Sequence, residues 1–275
     1  MLEVREGTMK GGLPYISVGE GPPLVVFVAG GPTNANPTGW QRRYEVRWLA
    51  PLARRGFTVY RVNRKIGLKR GLTMADLADD YALALEDEFA NPVDVLGVST
   101  GGMIAQQFAV DHPHLLRRLV LGGAAYRLGP LAREAERRSA QFASRDQYRR
   151  SLAAMPPVFA ASPLAQKLLG AMYWLTAPLA GMGRSWDPTD MIATIEAEVA
   201  FDIGERLGEI SAPTFVICGE RDRAFSPELF RQTAEWIPHA HLIVYEGRGH
   251  GGSLRDRRFA RDVVSFLRSE RPVAA

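Results

Sequence analysis

Short apolar runs recur along the chain and are separated by longer stretches of mixed polarity. A short, continuous apolar run is typical of a strand that is buried on both faces of a parallel sheet. These runs predict strands at residues 24–28, 57–62, 93–98, 119–121, 214–218 and 241–245, and two further short strands are predicted within residues 3–19.

Helical spacing fills the gaps between the runs. One apolar face is formed by Met74, Leu77, Tyr81, Leu85 and Phe89, in a helix that begins with a capping box at Thr73 and Asp76. Further helices are predicted at residues 40–55, 103–110, 227–237 and 256–269. Such alternation of strand and helix predicts an α/β fold, with a mostly parallel central sheet and helices on both of its faces.

The alternation is interrupted between residues 126 and 210, where the pattern indicates no strand. This stretch is rich in Ala, Arg and Met, and proline-containing breaks such as Ser162-Pro163 and Ala177-Pro178 divide it into helical segments. We therefore predict a core made of residues 1–125 and 211–275, and a helical lid, residues 126–210, inserted over the top of the sheet.

Composition narrows the class of protein. The 275 residues are 46% hydrophobic and 23% charged, which are ordinary values for a globular protein. The first residues have no apolar core of a secretory signal, and no apolar run is long enough to span a bilayer. The single cysteine, Cys218, permits no internal disulfide. These features predict a cytoplasmic protein without a membrane span.

The positive charge comes almost entirely from arginine, and the formal net charge is +4. Residues 61–70 and 133–150 are locally basic, but acidic residues are interspersed in the second region. We interpret both regions as solvated helix faces, with attraction of an acidic substrate as the alternative. The clustering expected of a nucleic-acid-binding surface is missing, so no nucleic-acid partner is predicted. The sequence leaves the oligomeric state open.

The strongest chemical signal is Gly97-Val98-Ser99-Thr100-Gly101, where an apolar run meets a predicted helix. A serine framed by glycines between a strand and a helix is typical of a nucleophile elbow. The turn strains the serine backbone and brings other chain segments close, which requires glycine at Gly97 and Gly101. The pattern predicts that Ser99 is a nucleophile.

A serine nucleophile requires a base and an acid that orients the base. In this strand order both follow the serine, and His250 lies in a glycine-rich loop after the last predicted strand. The other four histidines are predicted to point away from Ser99 or to lie at the opposite edge of the sheet. For the acid, Asp222 is preferred over Glu220, because it lies further along the turn after the 214–218 strand.

An oxyanion intermediate requires two preorganised hydrogen-bond donors. One predicted donor is the backbone N–H of Thr100, at the start of the helix after the serine. The other should come from the loop after residues 24–28. Pro32 has no N–H, so Gly31 is the first candidate and Gly30 the second.

The chain resembles proteins of the α/β-hydrolase fold, in the lid-bearing group of serine esterases, lipases and peroxidase-like enzymes. The resemblance extends over almost the whole length and rests on residues 19–26, 97–102, 212–222 and 247–250. It implies a central sheet with a helical lid. Members commonly carry a His-Gly pair in the oxyanion loop, whereas this chain has Ala29-Gly30. Serine at position 99 also differs from relatives that use aspartate there.

The lid should supply much of the substrate pocket. Its large apolar residues are Met155, Phe159, Leu168, Leu169, Met172, Tyr173, Trp174, Met182, Trp186 and Met191, and most are expected to pack between lid and core. We predict Met103, Met182 and Trp186 as pocket residues. No metal-ligand spacing, dinucleotide fingerprint or phosphate loop is present, so no cofactor and no metal are predicted.

These features lead to the hypothesis of a serine hydrolase that cleaves a carboxylic ester of a small, largely apolar substrate. Carbon–carbon bond hydrolysis, lactone opening and perhydrolysis are alternatives on the same triad. A ligand-binding or receptor protein that retains the triad is another. An aminopeptidase is a further alternative, since Gly30-Gly31-Pro32 is similar to the oxyanion loop of proline-releasing members. Glu196, Glu198 or Asp202 could then bind an amine, although a solvated helix face explains these acids equally well.

Overall fold

Strands and helices alternate along residues 2–180 and 187–269, which are the residues that the structure, a computed structural model, describes. The strands are β1 (Val4–Met9), β2 (Leu13–Val18), β3 (Pro23–Phe27), β4 (Thr58–Val62), β5 (Val93–Val98), β6 (Leu116–Gly122), β7 (Thr214–Gly219) and β8 (Ala240–Tyr245). The helices are α1 (Gly39–Ala53), α2 (Met74–Glu88), α3 (Thr100–Asp111), α4 (Pro130–Ala143), α5 (Tyr148–Leu152), α6 (Pro156–Phe159), α7 (Pro163–Thr176), α8 (Thr189–Ala200), α9 (Pro227–Trp236), α10 (His250–Ser253) and α11 (Phe259–Arg268).

The strands form one sheet in the order β1-β2-β4-β3-β5-β6-β7-β8. β1, β2 and β4 pair antiparallel, and every pair from β4-β3 to β7-β8 is parallel. The predicted mostly parallel sheet is therefore confirmed. The chain order reverses at β3, whose neighbours are β4 and β5. Ligands in open α/β sheets bind beyond the carboxyl ends of the strands at such a reversal, which here brings together the residues after β3 and after β5.

Alternate residues of the central strands face two separate apolar layers. Val25 and Phe27 belong to a cluster that includes side chains of α2 and α3. Leu24 and Val26 belong to a second cluster with side chains of α1 and α11. Because both faces of β3 are covered, the strand is apolar at every position from Leu24 to Phe27, as its sequence predicts.

The closing helix starts later than its amphipathic pattern predicts. The prediction placed its start at Asp256, whereas α11 begins at Phe259. The Asp256 carboxylate accepts a hydrogen bond from the backbone N–H of Arg258 (3.0 Å), which closes a turn before the helix. Short polar side chains compete with helical hydrogen bonds in this way.

Helices α4 to α8 lie between β6 and β7, where the sequence predicts the lid, and the described part of that stretch forms none of the sheet's strands. Among them α4 packs against α5, α6 and α8, while α6 also contacts α10. The limits of core and lid, and the role of these helices as a lid, stay predictions. Among residues 2–180 and 187–269, no helix has the length and apolar character needed to cross a bilayer.

Candidate active site

Ser99 sits in a sharp turn between β5 and α3, with φ 51° and ψ −118°. A positive φ is unusual for a residue with a side chain and is held only where the surroundings enforce it. A Cβ added to Gly97 would lie 2.6 Å from Cα of Gly102, and one added to Gly101 would collide with the carbonyl oxygen of Phe27. Glycine is therefore required on both sides of the serine, as predicted.

Three side chains that are distant in sequence meet above the sheet. Nε2 of His250 lies 3.0 Å from Oγ of Ser99, and Nδ1 of His250 lies 2.8 Å from Oδ2 of Asp222. Both His250 and Asp222 are buried. The contacts expected between the three predicted residues are all present.

Asp222 is held in place by the turn that follows β7. Its Oδ1 accepts hydrogen bonds from the backbone N–H groups of Ala224 (2.8 Å) and Phe225 (3.2 Å), which leaves Oδ2 for the histidine. Glu220, the other candidate acid, is exposed and accepts a hydrogen bond from the N–H of Gly247. Geometry thus separates the two candidates, because only Asp222 reaches His250.

The loop after β3 lies against the start of α3. The N–H of Gly30 donates a hydrogen bond to Oγ1 of Thr100 (2.7 Å), so this N–H is already occupied. Gly31 lines the pocket in front of Ser99, and a Cβ added to Gly31 would meet nothing within 4 Å. Of the two candidate glycines, Gly31 therefore lies on the open side. The bracing role of the Thr100 side chain was missed by the sequence reasoning, which used only its backbone.

Residues 25–262 match the model of the alpha/beta hydrolase family. The chain belongs to that family.

The relatives of this α/β hydrolase carry out several reactions. This chain is 27% identical over 278 residues to a 2-hydroxy-6-oxononadienedioate/2-hydroxy-6-oxononatrienedioate hydrolase from Cupriavidus pinatubonensis. The match covers 97% of this chain and 94% of that protein. It is 30% identical over 190 residues to polyketide synthase ThaQ from Burkholderia thailandensis; the match covers 63% of this chain and spans only 8% of that much longer protein.

Among solved structures, this chain resembles the enol-lactonase from Burkholderia xenovorans LB400, with a TM-score of 0.74. That likeness covers 96% of this chain and all of the other, at 21% sequence identity. It confirms the predicted α/β-hydrolase fold.

The loop after β3 of this hydrolase is also held by a buried arginine. Arg64 is almost completely buried, and its guanidinium donates to the carbonyl oxygens of Val28 (3.3 Å) and Ala29 (3.5 Å). Burial lowers the pKa of Arg64. These contacts hold the loop where Ala29 replaces the histidine that is common in relatives. The interpretation of residues 61–70 as a solvated face is wrong for Arg64 and also for Arg61, which is buried as well.

The pocket in front of Ser99 is a cavity of about 320 Å³ with a mostly apolar wall. Its apolar lining includes Met103, Leu128, Ala132, Met155, Val158, Phe159, Met191, Ile195 and Phe225. Met103 is thus where the sequence analysis placed it. The other two predicted pocket residues, Met182 and Trp186, lie outside the described residues.

The predicted packing of the lid side chains is wrong for α7. This helix has no buried residue, and Leu168, Met172 and Trp174 are exposed. α7 packs mainly on α5 and α6 and not on the sheet, so its outer face meets solvent. The apolar residues of a helix do not by themselves show which neighbouring element, if any, covers them.

The pocket also contains two carboxyl groups, one of which, Glu198, the sequence analysis named among three acids that could bind an amine. Glu136 of α4 and Glu198 of α8 both line the cavity. Burial raises the pKa of Glu136 well above its ordinary value, and the charge of Glu198 adds to that effect. Burial also raises the pKa of Glu198, against smaller opposing effects of Thr100, Arg64 and His250.

The sequence analysis allowed that Glu198 belongs to a solvated helix face. The structure shows that it does not. It is 4% exposed, and its Oε1 has no hydrogen-bond partner of acceptable geometry among the described residues. Glu196, two positions earlier on α8, does lie outside, where it pairs with Arg70. The two glutamates point to opposite sides because successive helical residues are separated by about 100°.

Proposed function

We propose that the protein is a cofactor-independent serine hydrolase that cleaves a carboxylic ester of a small, largely apolar substrate. The observation that carries the proposal is the continuous chain of contacts from Ser99 through His250 to Asp222. A hydroxyl within 3.0 Å of a buried imidazole has the base that its deprotonation requires.

In the proposed mechanism, Oγ of Ser99 attacks the ester carbonyl while Nε2 of His250 takes its proton. The proton then passes to the leaving alkoxide, which departs as the alcohol and leaves an acyl-enzyme. Water, deprotonated by the same nitrogen, attacks the acyl group and releases the acid. Throughout, Asp222 accepts the Nδ1–H and holds the ring in the productive tautomer.

The proposed oxyanion donors are the backbone N–H groups of Gly31 and Thr100. Gly30 is excluded because its N–H is bonded to the Thr100 hydroxyl. Thr100 then has two roles in the proposed mechanism. Its backbone N–H donates to the oxyanion, and its side chain accepts the hydrogen bond from Gly30 in the loop after β3. Gly31 is one residue beyond the braced N–H, so its position depends directly on that bond.

The Thr100→Val variant tests this arrangement. Valine has the same shape but leaves the Gly30 N–H without its acceptor, and an unsatisfied buried donor costs about 1–3 kcal/mol, so we expect kcat to fall about tenfold. KM should change little, because the oxyanion exists only in the transition state. Thr100→Ser, which keeps the hydroxyl, is the matched control and should retain most of the wild-type kcat. Equal losses in both variants would contradict the bracing role.

The direct test of the proposed function is labelling with a fluorophosphonate, followed by mass spectrometry of the intact protein and of its peptides. We expect one adduct, on Ser99, and loss of hydrolysis of p-nitrophenyl esters in step with labelling. A series of acyl chain lengths would then show how much of the cavity of about 320 Å³ the acyl group fills. Labelling elsewhere, or hydrolysis that survives complete labelling, would refute the proposal.

The charged residues that line the pocket argue against a dicarboxylate substrate like the one in the name of the Cupriavidus relative. The Cupriavidus relative is named for a dienedioate, a substrate with two carboxylates. The lining of this cavity includes Glu136 and Glu198 but, among the described residues, neither lysine nor arginine, so it offers a second carboxylate no cationic partner. Carbon–carbon bond hydrolysis and lactone opening therefore fit a substrate that is neutral at that position better than they fit a dicarboxylate.

The same pair of acids supports a second candidate function, hydrolysis of an amino-acyl ester or amide. A protonated amine next to Glu198 would give its unpartnered Oε1 a charge-assisted hydrogen bond. We expect kcat/KM for an amino-acyl p-nitroanilide to exceed that of its N-acetylated form. Glu198→Gln should remove this preference and lower the rate on the free amine about tenfold, as for loss of a bond to a charged group.

Glu196→Gln, at the exposed neighbour, is the matched control for Glu198→Gln and should leave the preference intact. If the acetylated substrate is hydrolysed as fast as the free amine, the second candidate is wrong. That outcome leaves the ester hydrolase proposal in place, since it does not involve an amine.

A further inference from the structure

A second cleft, of about 800 Å³, lies behind the oxyanion loop, between that loop and α1. It shares Ala29, Gly30, Gly31, Pro32 and Leu254 with the pocket in front of Ser99, and its remaining lining is different. The other lining residues include Trp40, Tyr44, Glu45, Trp48, Arg61 and Arg255. The loop that carries Gly31 is thus a wall between two separate spaces.

The polar centre of the second cleft is the guanidinium of Arg61, on β4. Arg61 is 8% exposed, and its Nε and Nη1 are buried without a hydrogen-bond partner among the described residues. Oε2 of Glu45 lies 3.4 Å from Nε but not in hydrogen-bonding geometry. Buried polar groups are almost always hydrogen-bonded, because an unsatisfied one loses its interactions with water. Arg61 therefore has donors available for an acceptor that enters the cleft.

The charge of the lining indicates the sign of that acceptor. The charged residues that line the cleft are Arg61, Arg255 and Glu45, which amounts to two guanidinium groups and one carboxylate. Arg255 is fixed above the ring of Tyr44, and its Nε donates to the Tyr44 hydroxyl (2.7 Å). The cleft consequently carries an excess of positive charge and favours an anion.

Aromatic rings form much of the remaining wall. Trp48 is held by a hydrogen bond from its Nε1 to the carbonyl oxygen of Leu254 (3.0 Å). Trp40 is 63% exposed and Tyr44 is 45% exposed at the rim, although both are large and partly apolar. Exposed aromatic side chains around a charged centre are typical of a site that takes a ligand with an apolar body and one polar end.

We propose that this second cleft binds a small carboxylate with an apolar or aromatic body. The carboxylate receives hydrogen bonds from the fork of donors on Arg61, an arrangement in which a guanidinium matches a carboxylate well. The body of the ligand lies against Trp40, Tyr44 and Trp48. A ligand in this position touches the reverse side of the loop that carries Gly31, and binding does not involve Ser99.

The test is isothermal titration calorimetry of the full chain with phenylacetate, with the neutral phenylacetamide as the matched probe. We expect saturable one-site binding of phenylacetate and weaker binding of the amide. Arg61→Met keeps the length of the side chain but removes the donors, so we expect phenylacetate to bind at least about tenfold more weakly. Retained cooperative unfolding of the variant, followed by circular dichroism, shows that the fold persists.

Three further variants test where phenylacetate binds. Trp40→Ala removes an exposed ring and should weaken phenylacetate binding, whereas Trp236→Ala, which removes an exposed ring elsewhere, should not. Glu198→Gln alters the pocket of Ser99 but not the lining of the second cleft, so a changed affinity in this variant would place phenylacetate in that pocket. That result, no binding to the wild type, or affinity unchanged by both Arg61→Met and Trp40→Ala would overturn the proposal. Hydrolytic activity is not used as a readout.

Discussion

Ser99→Ala is expected to lower kcat for ester hydrolysis by about 10⁵–10⁶-fold, the scale seen when a serine hydrolase loses its nucleophile. The change removes the only atom that forms the acyl-enzyme in the proposed mechanism, and His250 alone cannot replace it. KM should remain similar, because the cavity wall and the two proposed oxyanion donors are unaltered. The measurement is steady-state hydrolysis of p-nitrophenyl butyrate, with labelling by the fluorophosphonate followed in parallel.

A serine elsewhere on the surface provides the control for Ser99→Ala. Ser144 is exposed just after α4, and its hydroxyl donates only to a backbone carbonyl three residues earlier. Ser144→Ala should therefore hydrolyse the ester at the wild-type rate and should still be labelled. Substantial hydrolysis by Ser99→Ala, after its purity has been checked, would show that the elbow serine is not the nucleophile.

Asp222→Asn is expected to lower kcat by about 10⁴-fold, because an amide in place of the carboxylate favours the wrong imidazole tautomer. The 2.8 Å contact between Oδ2 of Asp222 and Nδ1 of His250 requires Nδ1 to carry the proton, which leaves Nε2 free to accept one from Ser99. The asparagine NH₂ group at the Oδ2 position would donate to Nδ1 instead. Nε2 would then hold the proton and could not act as a base.

Glu220→Gln is the matched control for Asp222→Asn, since the two acids are two residues apart and were the two candidates from sequence. Glu220 bonds the N–H of Gly247 at the surface and does not contact His250. We expect the variant to keep nearly wild-type kcat, measured with the same ester over a range of pH. A large loss in Glu220→Gln together with a small loss in Asp222→Asn would reverse the assignment.

The centre of the sheet was predictable because strands such as β3 are apolar on both faces. Such runs are hard to place anywhere except at the centre of a sheet covered on both sides. Boundaries were less predictable, and the start of α11 is an example. Amphipathic spacing continues back to Asp256, but a local hydrogen bond to Arg258 closes a turn there instead. The spacing of apolar residues predicts which face of a helix is buried. It does not predict at which residue the helical hydrogen bonds begin.

The three residues of the proposed triad were predictable for a different reason. The elbow requires glycine at close backbone contacts, and the order of acid and histidine after it follows from the order of the strands. The choice between Gly30 and Gly31 was open until the Thr100 side chain was located. A hydrogen bond between residues 70 positions apart leaves no local signal in the sequence.

Charged residues were the least predictable, since their sequence patterns resemble those of solvated faces. Glu196 and Glu198 are nearly adjacent on α8, yet one pairs with Arg70 at the surface and the other lines the pocket. Arg61 and Arg64 belong to a basic stretch, but both are buried. Arg64 contacts the loop after β3, and Arg61 lines the second cleft. Burial of a charge depends on what packs over it, which the residue and its neighbours in sequence do not specify.

The sequence alone thus determined the sheet, and it predicted the elbow at Ser99 with Asp222 and His250 as its acid and base, roles that stay proposals. Each follows from local rules, which are apolar runs, required glycines and the order of strand ends. Only the tertiary structure decided how the loop of Gly31 is braced, which acids face the substrate, and that Arg61 has a cleft of its own. Those features depend on contacts between segments that are far apart in the chain, and long-range packing leaves no periodic pattern to read.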